Sequence, residues 1–304
     1  MQRSAIVLLL AAAVFMGSCT WAPPDHLADP AYEREILAFR ERRVANLTRD
    51  TGWLTLTGLH WLQQGENAVG SDPASAVTLP EGKAPARVGT IRLAGRSAVF
   101  TPEPGVPVTY EGRELPGPVA LAPDTSGDPT VLELGSLQWF LIERAGRFGI
   151  RARDREHPAR TRFGGIASFP IDPKWRVTAR LEPYDPPKQI PIQNIIGTVE
   201  PVASPGALVF TIDGREYRLD PITEEGSKEL FIIFADGTSG EETYPAGRYL
   251  YAALPGEDGT TMLDFNRAYN PPCAFTEFAT CPLPPRQNRL DLRITAGEMD
   301  KSRG

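Results

Sequence analysis

Val209-Phe210-Thr211-Ile212-Asp213-Gly214-Arg215-Glu216-Tyr217-Arg218-Leu219 decides the fold class. Phe210 and Ile212, like Tyr217 and Leu219, fall two residues apart with polar side chains between them, the period of a strand buried on one face. Asp213-Gly214 supplies two residues that tolerate positive φ, which a tight two-residue hairpin turn requires. Short apolar runs bounded by turn residues recur on both sides of this hairpin. They predict strands at 175–184, 195–200, 207–212, 215–219, 229–234, 248–253, 261–265 and 290–295. Upstream they predict strands at 53–62, 68–69, 77–79, 88–93, 98–100, 106–110, 131–134, 137–143 and 148–153.

The chain of 304 residues carries 30 Pro and 28 Gly beside 41% hydrophobic residues, which reads as many turns between short strands and not as disorder. The expected fold is mainly β: two antiparallel β-sandwich or barrel lobes, at 49–155 and 156–304, preceded by one helix. The charged stretch 154–162 has no hydrophobic period and is expected to connect the lobes. The helix is expected at 29–48, with Asp29 as its cap and Pro30 in its first turn. Tyr32, Ile36, Phe39, Arg43 and Leu47 recur every three or four residues, a stripe that should lie on the body.

The first residues carry an address. Arg3 precedes an apolar run over 5–16, and Phe15-Met16-Gly17-Ser18-Cys19 closes it. That ending resembles the bacterial lipobox, in which the Cys is diacylated and becomes the first mature residue; a plain signal peptide with a chance Cys is the alternative. The apolar run is shorter than the ~20 residues of a membrane-spanning helix. The expectation is a signal peptide at 1–18, a tether lipidated at Cys19 over 19–28, and a periplasm-facing lipoprotein. Thr20 lacks the Asp that commonly retains lipoproteins in the inner membrane, which favours the outer membrane. The formal charge of −6 gives no electrostatic reason to bind nucleic acid.

Cys273 and Cys281, in a Pro-rich segment, are read as a disulfide in an oxidising compartment. Reduced structural thiols and a redox or metal role are the alternatives. No cofactor or metal is expected, because no further Cys or His stands nearby at ligand spacing.

Two resemblances add to this. Gly65-Glu66-Asn67-Ala68-Val69-Gly70-Ser71-Asp72-Pro73, followed by Val77-Thr78-Leu79-Pro80, resembles the opening of a forkhead-associated domain. Such domains bind phosphothreonine through an Arg after the Gly and then a Ser and a His. Ser71 stands at the Arg place and Arg87-Val88-Gly89 where the later donors would be, so the resemblance implies a degenerate sandwich without phosphopeptide binding. Gly52-Trp53-Leu54-Thr55-Leu56-Thr57-Gly58-Leu59-His60-Trp61-Leu62, Thr238-Ser239-Gly240-Glu241-Glu242-Thr243-Tyr244, Leu263-Asp264-Phe265-Asn266-Arg267-Ala268-Tyr269-Asn270-Pro271-Pro272-Cys273 and Cys281-Pro282-Leu283-Pro284-Pro285 resemble a bacterial family catalogued as a domain of unknown function, number sixteen eighty-four. That resemblance implies an extent and an architecture, and no reaction.

Asp264, Asn266, Arg267, Tyr269 and Asn270 crowd one segment, and Tyr244 and Arg248 are expected at the same end of the sheet. If Leu263 and Phe265 point into the core, Asp264 and Asn266 point away from it. This set suits a small polar ligand or a carboxylate; a structural hydrogen-bond network is the other reading. A hydrolase or lyase would use Asp264 as general base, Arg267 against an oxyanion and Tyr269 as proton donor. A purely structural envelope protein is the third class. His60 reads as a core histidine, no Gly-x-Ser-x-Gly elbow exists, and Ser239 reads as turn chemistry.

Overall fold

A computed structural model describes residues 29–223 and 226–300. The signal, tether and Cys19 readings lie outside the described residues. Helix α1 (Pro30–Thr48) begins as expected, with the Asp29 carboxylate accepting from the Ala31 amide at 2.9 Å. Its Tyr32, Ile36 and Leu47 are buried.

The first lobe is a sandwich. One sheet contains β1 (Leu56–Trp61), β6 (Thr109–Tyr110), β7 (Arg113–Glu114), β9 (Val131–Leu134), β10 (Leu137–Arg144) and β11 (Arg147–Asp154), in the order β1-β11-β10-β9-β6-β7. The other contains β2 (Gly65–Gly70), β3 (Val77–Thr78), β4 (Gly89–Ala94), β5 (Ser97–Pro102) and β8 (Val119–Ala120), in the order β3-β2-β4-β5-β8. Ile91, Phe100, Leu132, Trp139 and Ile150 come from both sheets into one core, where Phe100 meets the Trp139 ring edge-on at 5.9 Å. Burying each such side chain is worth about 1.5–3 kcal/mol, so this core outweighs any surface ion pair. Ser71 donates its amide to Pro85 O, and the exposed Arg87 pairs with Glu103, so neither is poised as a phosphate donor.

The stretch after β11 is more ordered than a linker. His157 caps the short helix α2 (Pro158–Thr161) through Nδ1, and Arg160 donates to Thr48 O at the end of α1.

The second lobe pairs β12 (Arg176–Gln193), β13 (Val199–Ile212), β14 (Arg215–Leu219) and β18 (Thr260–Asp264) in the order β14-β13-β12-β18. A second sheet orders β15 (Ile222–Thr223), β16 (Glu229–Phe234) and β17 (Arg248–Ala253). Asp213 and Gly214 both have positive φ, as the hairpin reading requires. Two expectations fail here. Residues 195–200 do not form a separate strand: β12 and β13 run on as one long hairpin, and its turn occupies 194–198. Residues 290–295 form no strand: Leu290 and Leu292 pair singly with the backbone of Ala235 and Gly237, and the Ile294 carbonyl is taken by the Arg248 side chain.

Strand β16 is buried on both faces, which its run Leu230-Phe231-Ile232-Ile233-Phe234 anticipates. Leu230, Ile232 and Phe234 enter the lobe's main core with Leu250, Leu263 and Phe265. Phe231 and Ile233 point the other way, into a second cluster with Tyr249, Ile190, Ile192 and Cys281. Trp53 from the first lobe packs on that second cluster.

Candidate functional site

The segment that crowds polar residues divides into two faces. Leu263 and Phe265 are fully buried in the core, so Asp264 and Asn266 point outward as expected, but they point at α1. Tyr32 donates its hydroxyl to Asp264 Oδ1 at 2.8 Å. Asn266, 1% exposed, holds both polar groups of the Asp172 backbone: Oδ1 accepts from its amide at 3.1 Å and Nδ2 donates to its carbonyl at 2.9 Å. The same Nδ2 reaches the Tyr32 hydroxyl at 2.9 Å. Arg267 pairs with Glu35, lies 3.6 Å from Asp264 and covers the Phe39 ring. Asp264 is 8% exposed, and burial pushes its carboxyl above the usual carboxylate range against the Tyr32 hydroxyl and Arg267. These three residues therefore dock the helix. The general-base arrangement gains no support, since Asp264 and Arg267 meet Tyr32, Glu35 and Phe39 in the first half of α1 while Tyr269 lies under Arg43 further along it.

Asn270 is also committed. Its amide donates to Glu298 Oε2 at 2.7 Å and its Nδ2 to Met299 O at 2.8 Å, while Oδ1 is buried without a partner. Arg248, 1% exposed, pairs with Asp236 Oδ2 at 2.6 Å and donates to the carbonyls of Ile294 and Ala296. Burial lowers its guanidinium from the usual value, and Asp236 opposes that. Tyr244 donates to Cys273 O at 3.0 Å, with burial holding its phenol well above the ordinary value. Arg248, Asn270 and Tyr244 thus belong to the frame.

Tyr269 stands apart from these. Its backbone pairs with Tyr249, and its ring meets Tyr249 edge-on at 5.7 Å and stacks near-parallel on Tyr251 at 6.3 Å. Tyr251 in turn stacks on Phe231 at 4.8 Å. These four rings floor a cleft of about 480 Å³ at the junction of helix, first lobe and second lobe. Its walls carry Arg43, Trp53, Arg144 and Thr280. Arg43 lies over the Tyr269 ring at 4.4 Å and is held by Glu298 at 2.8 Å. Arg144 is clamped by both oxygens of Asp124, at 3.0 and 2.7 Å, and donates Nε to Thr280 Oγ1 at 3.2 Å.

Cys281 also lines the cleft. The structure carries Cys273 and Cys281 as free thiols in place of the expected disulfide, side by side, with the Cys273 amide 3.0 Å from Cys281 Sγ. The hydrogen bond between them draws the Cys273 thiol below its ordinary range and pushes Cys281 above it.

Two larger hollows are less suited to a specific ligand. One of about 910 Å³ runs between α1 and residues 164–167 and is mainly apolar. The other, about 710 Å³, contains Lys83 and Asp154, which neutralise each other at 2.7 Å.

Reading the sequence found Tyr269 but missed Phe231, Tyr249, Tyr251, Trp53 and Arg144, and saw Arg43 only as part of a helical stripe. One signal was present: Phe231-Ile232-Ile233 and Tyr249-Leu250-Tyr251 are apolar or aromatic on both strand phases, so both faces must be covered.

An all-β, two-lobed body with one docked helix is the class these features define. Residues 161–299 match the family described as Protein of unknown function (DUF1684). An uncharacterized protein from gene locus rrnAC0354 of Haloarcula marismortui, solved by NMR, is 30% identical, over 48% of this chain and 81% of its own, with a TM-score of 0.40. The FHA domain of FhaA, solved with the intracellular domain of Rv3910, is 20% identical over 31% of this chain and 97% of its own, with a TM-score of 0.22. No curated protein matches the chain.

Proposed function

We infer that this protein is a lipid-anchored binding protein of the bacterial envelope that holds a small polar ligand in the cleft at Tyr269. The observation that carries the reading is the cleft itself: guanidiniums of Arg43 and Arg144 set around a floor of four aromatic rings, where three parts of the chain meet. Specific small-molecule sites favour such junctions, with an apolar lining and a few fixed polar groups. The ending Gly17-Ser18-Cys19 supports the anchor, and the adjacent Cys273 and Cys281 support a disulfide formed once the chain enters an oxidising compartment.

Native mass spectrometry of protein extracted from membranes tests all three parts. The expected spectrum shows acyl chains on Cys19, the loss of two hydrogens between Cys273 and Cys281, and a non-covalent small-molecule adduct. Thr280→Trp, which fills the cleft, should remove the adduct and leave the other two masses. Cys19→Ser should release the protein from the membrane. An unmodified Cys19, or an adduct that survives Thr280→Trp, would count against the reading.

A further inference from the structure

Behind the cleft wall lies a guanidinium that has no ion-pair partner among the described residues. Arg43 is answered by Glu298 and Arg144 by Asp124. Arg151 has no such answer. It lies on the outer face of β11, between the core-facing Ile150 and Ala152, and packing of the second lobe leaves it 5% exposed. It forms no ion pair among the described residues, and its Nε is buried without a partner. Among the described residues its side chain makes a long hydrogen bond, from Nη2 to Thr280 Oγ1 at 3.4 Å, and its guanidinium lies 5.3 Å from the Trp53 ring centre. Thr280 also receives Arg144 Nε at 3.2 Å, so two guanidiniums meet at one hydroxyl in the cleft wall. Burial draws Arg151 down to about 10, and Arg144 adds to the effect against Asp124. It therefore stays charged at neutral pH. A buried cation without a counter-charge is costly to keep, and a neutral side chain of similar length would cement the lobes without that cost.

We propose that the cleft binds a small ring-bearing oxyanion, its negative oxygens at Thr280 beside Arg144 with Arg151 directly behind that wall, and its flat body against the edges of the cleft's aromatic rings. The proposal rests on the cleft being the ligand site. Carboxylate and phosphate monoester share the relevant chemistry, since both offer paired oxygens to guanidinium donors. The aromatic floor selects for a flat partner, and about 480 Å³ accommodates one substituted ring. Arg151 sets the preference for charge, because the ligand supplies a counter-charge that the described residues do not pair with it.

Calorimetric titration of the full chain with benzoate, phenyl phosphate, benzamide and acetate tests this. Benzoate or phenyl phosphate should bind at least about tenfold tighter than benzamide, its neutral counterpart, and acetate more weakly than either anion with a ring. Whichever of the two anions binds more tightly identifies the headgroup. Arg151→Met should erase the preference for anions, bringing benzoate and phenyl phosphate down to the affinity of benzamide, and raise the melting temperature by about 2–4 °C as the uncompensated charge is removed. Equal binding of benzamide and both anions would leave the cleft in place and overturn the oxyanion. Binding by none of the four would overturn both. A preference that persists in Arg151→Met, or an Arg151→Met chain that unfolds, would overturn the role of Arg151; in the latter case Arg144→Gln still reads whether the site prefers charge.

Discussion

Arg248→Ala should lower the stability of the folded chain by about 3–5 kcal/mol, the cost of breaking a buried ion pair from one side. Asp236, with a side chain wholly out of solvent, would lose the 2.6 Å contact that compensates its charge. The carbonyls of Ile294 and Ala296 would lose their donor at the same time. Chemical denaturation should show a lower midpoint with an unchanged slope. Arg248→Lys should recover little of the loss, because one ammonium cannot span a carboxylate and two carbonyls as the planar fork does. A stability within about 0.5 kcal/mol of wild type, as for an ordinary surface change, would return Arg248 to the candidate ligand set.

Asn266→Ala should cost about 1–3 kcal/mol, since it strands the Asp172 amide and carbonyl in a partly buried place. Its signature should be local. Amide exchange along α1 should speed up far more than exchange in the first-lobe core, because Asn266 also holds the Tyr32 hydroxyl. The helix keeps its apolar contacts through Ile36 and Leu47, each worth about 2 kcal/mol, so it should loosen without leaving. Arg267–Glu35 is a partly exposed pair worth less than about 1 kcal/mol and does not decide the docking. Mild acid should not undock the helix through Asp264. Burial raises that carboxyl in the folded state, so its contribution is fullest below the unfolded value near 3.9 and falls as pH rises through the folded one. Uniform acceleration of exchange, or none in α1, would contradict Asn266 as its clasp.

Local chemistry is what the sequence made legible. The Asp213-Gly214 turn, the helical stripe and most strands rest on spacing within about ten residues, where period and turn chemistry act directly. The long hairpin of β12 and β13 was hidden by Pro183, Pro186, Pro187 and Pro191. The two strands slip register between Pro183 and Lys188, and burial of Ile190 and Ile192 in the second cluster offsets the missing amides. Residues 290–295 alternate like a strand, yet the Ile294 carbonyl serves Arg248, a contact that no local pattern encodes.

The site divides in the same way. Crowding of polar residues at 264–270 was visible, but their partners are distant in sequence: Tyr32 and Glu35 in α1 for Asp264 and Arg267, Asp172 for Asn266, and Glu298 for Asn270. Only Tyr269 of that group lines the cleft. Arg144 and Arg151 sit in first-lobe strands, where arginines on an outward face read as solvated; packing of the second lobe is what buries Arg151.

The most direct test of the cleft as the ligand site is a crystal of the protein soaked with 4-bromobenzoate, with the bromine located by its anomalous signal. The expected result is one strong peak inside the cleft beside the Tyr251 and Tyr269 rings, with the carboxylate at Thr280 beside Arg144. A peak instead in the hollow beside Lys83 and Phe278, along the Leu37–Val44 face of α1, or at neither place nor the cleft, would contradict it.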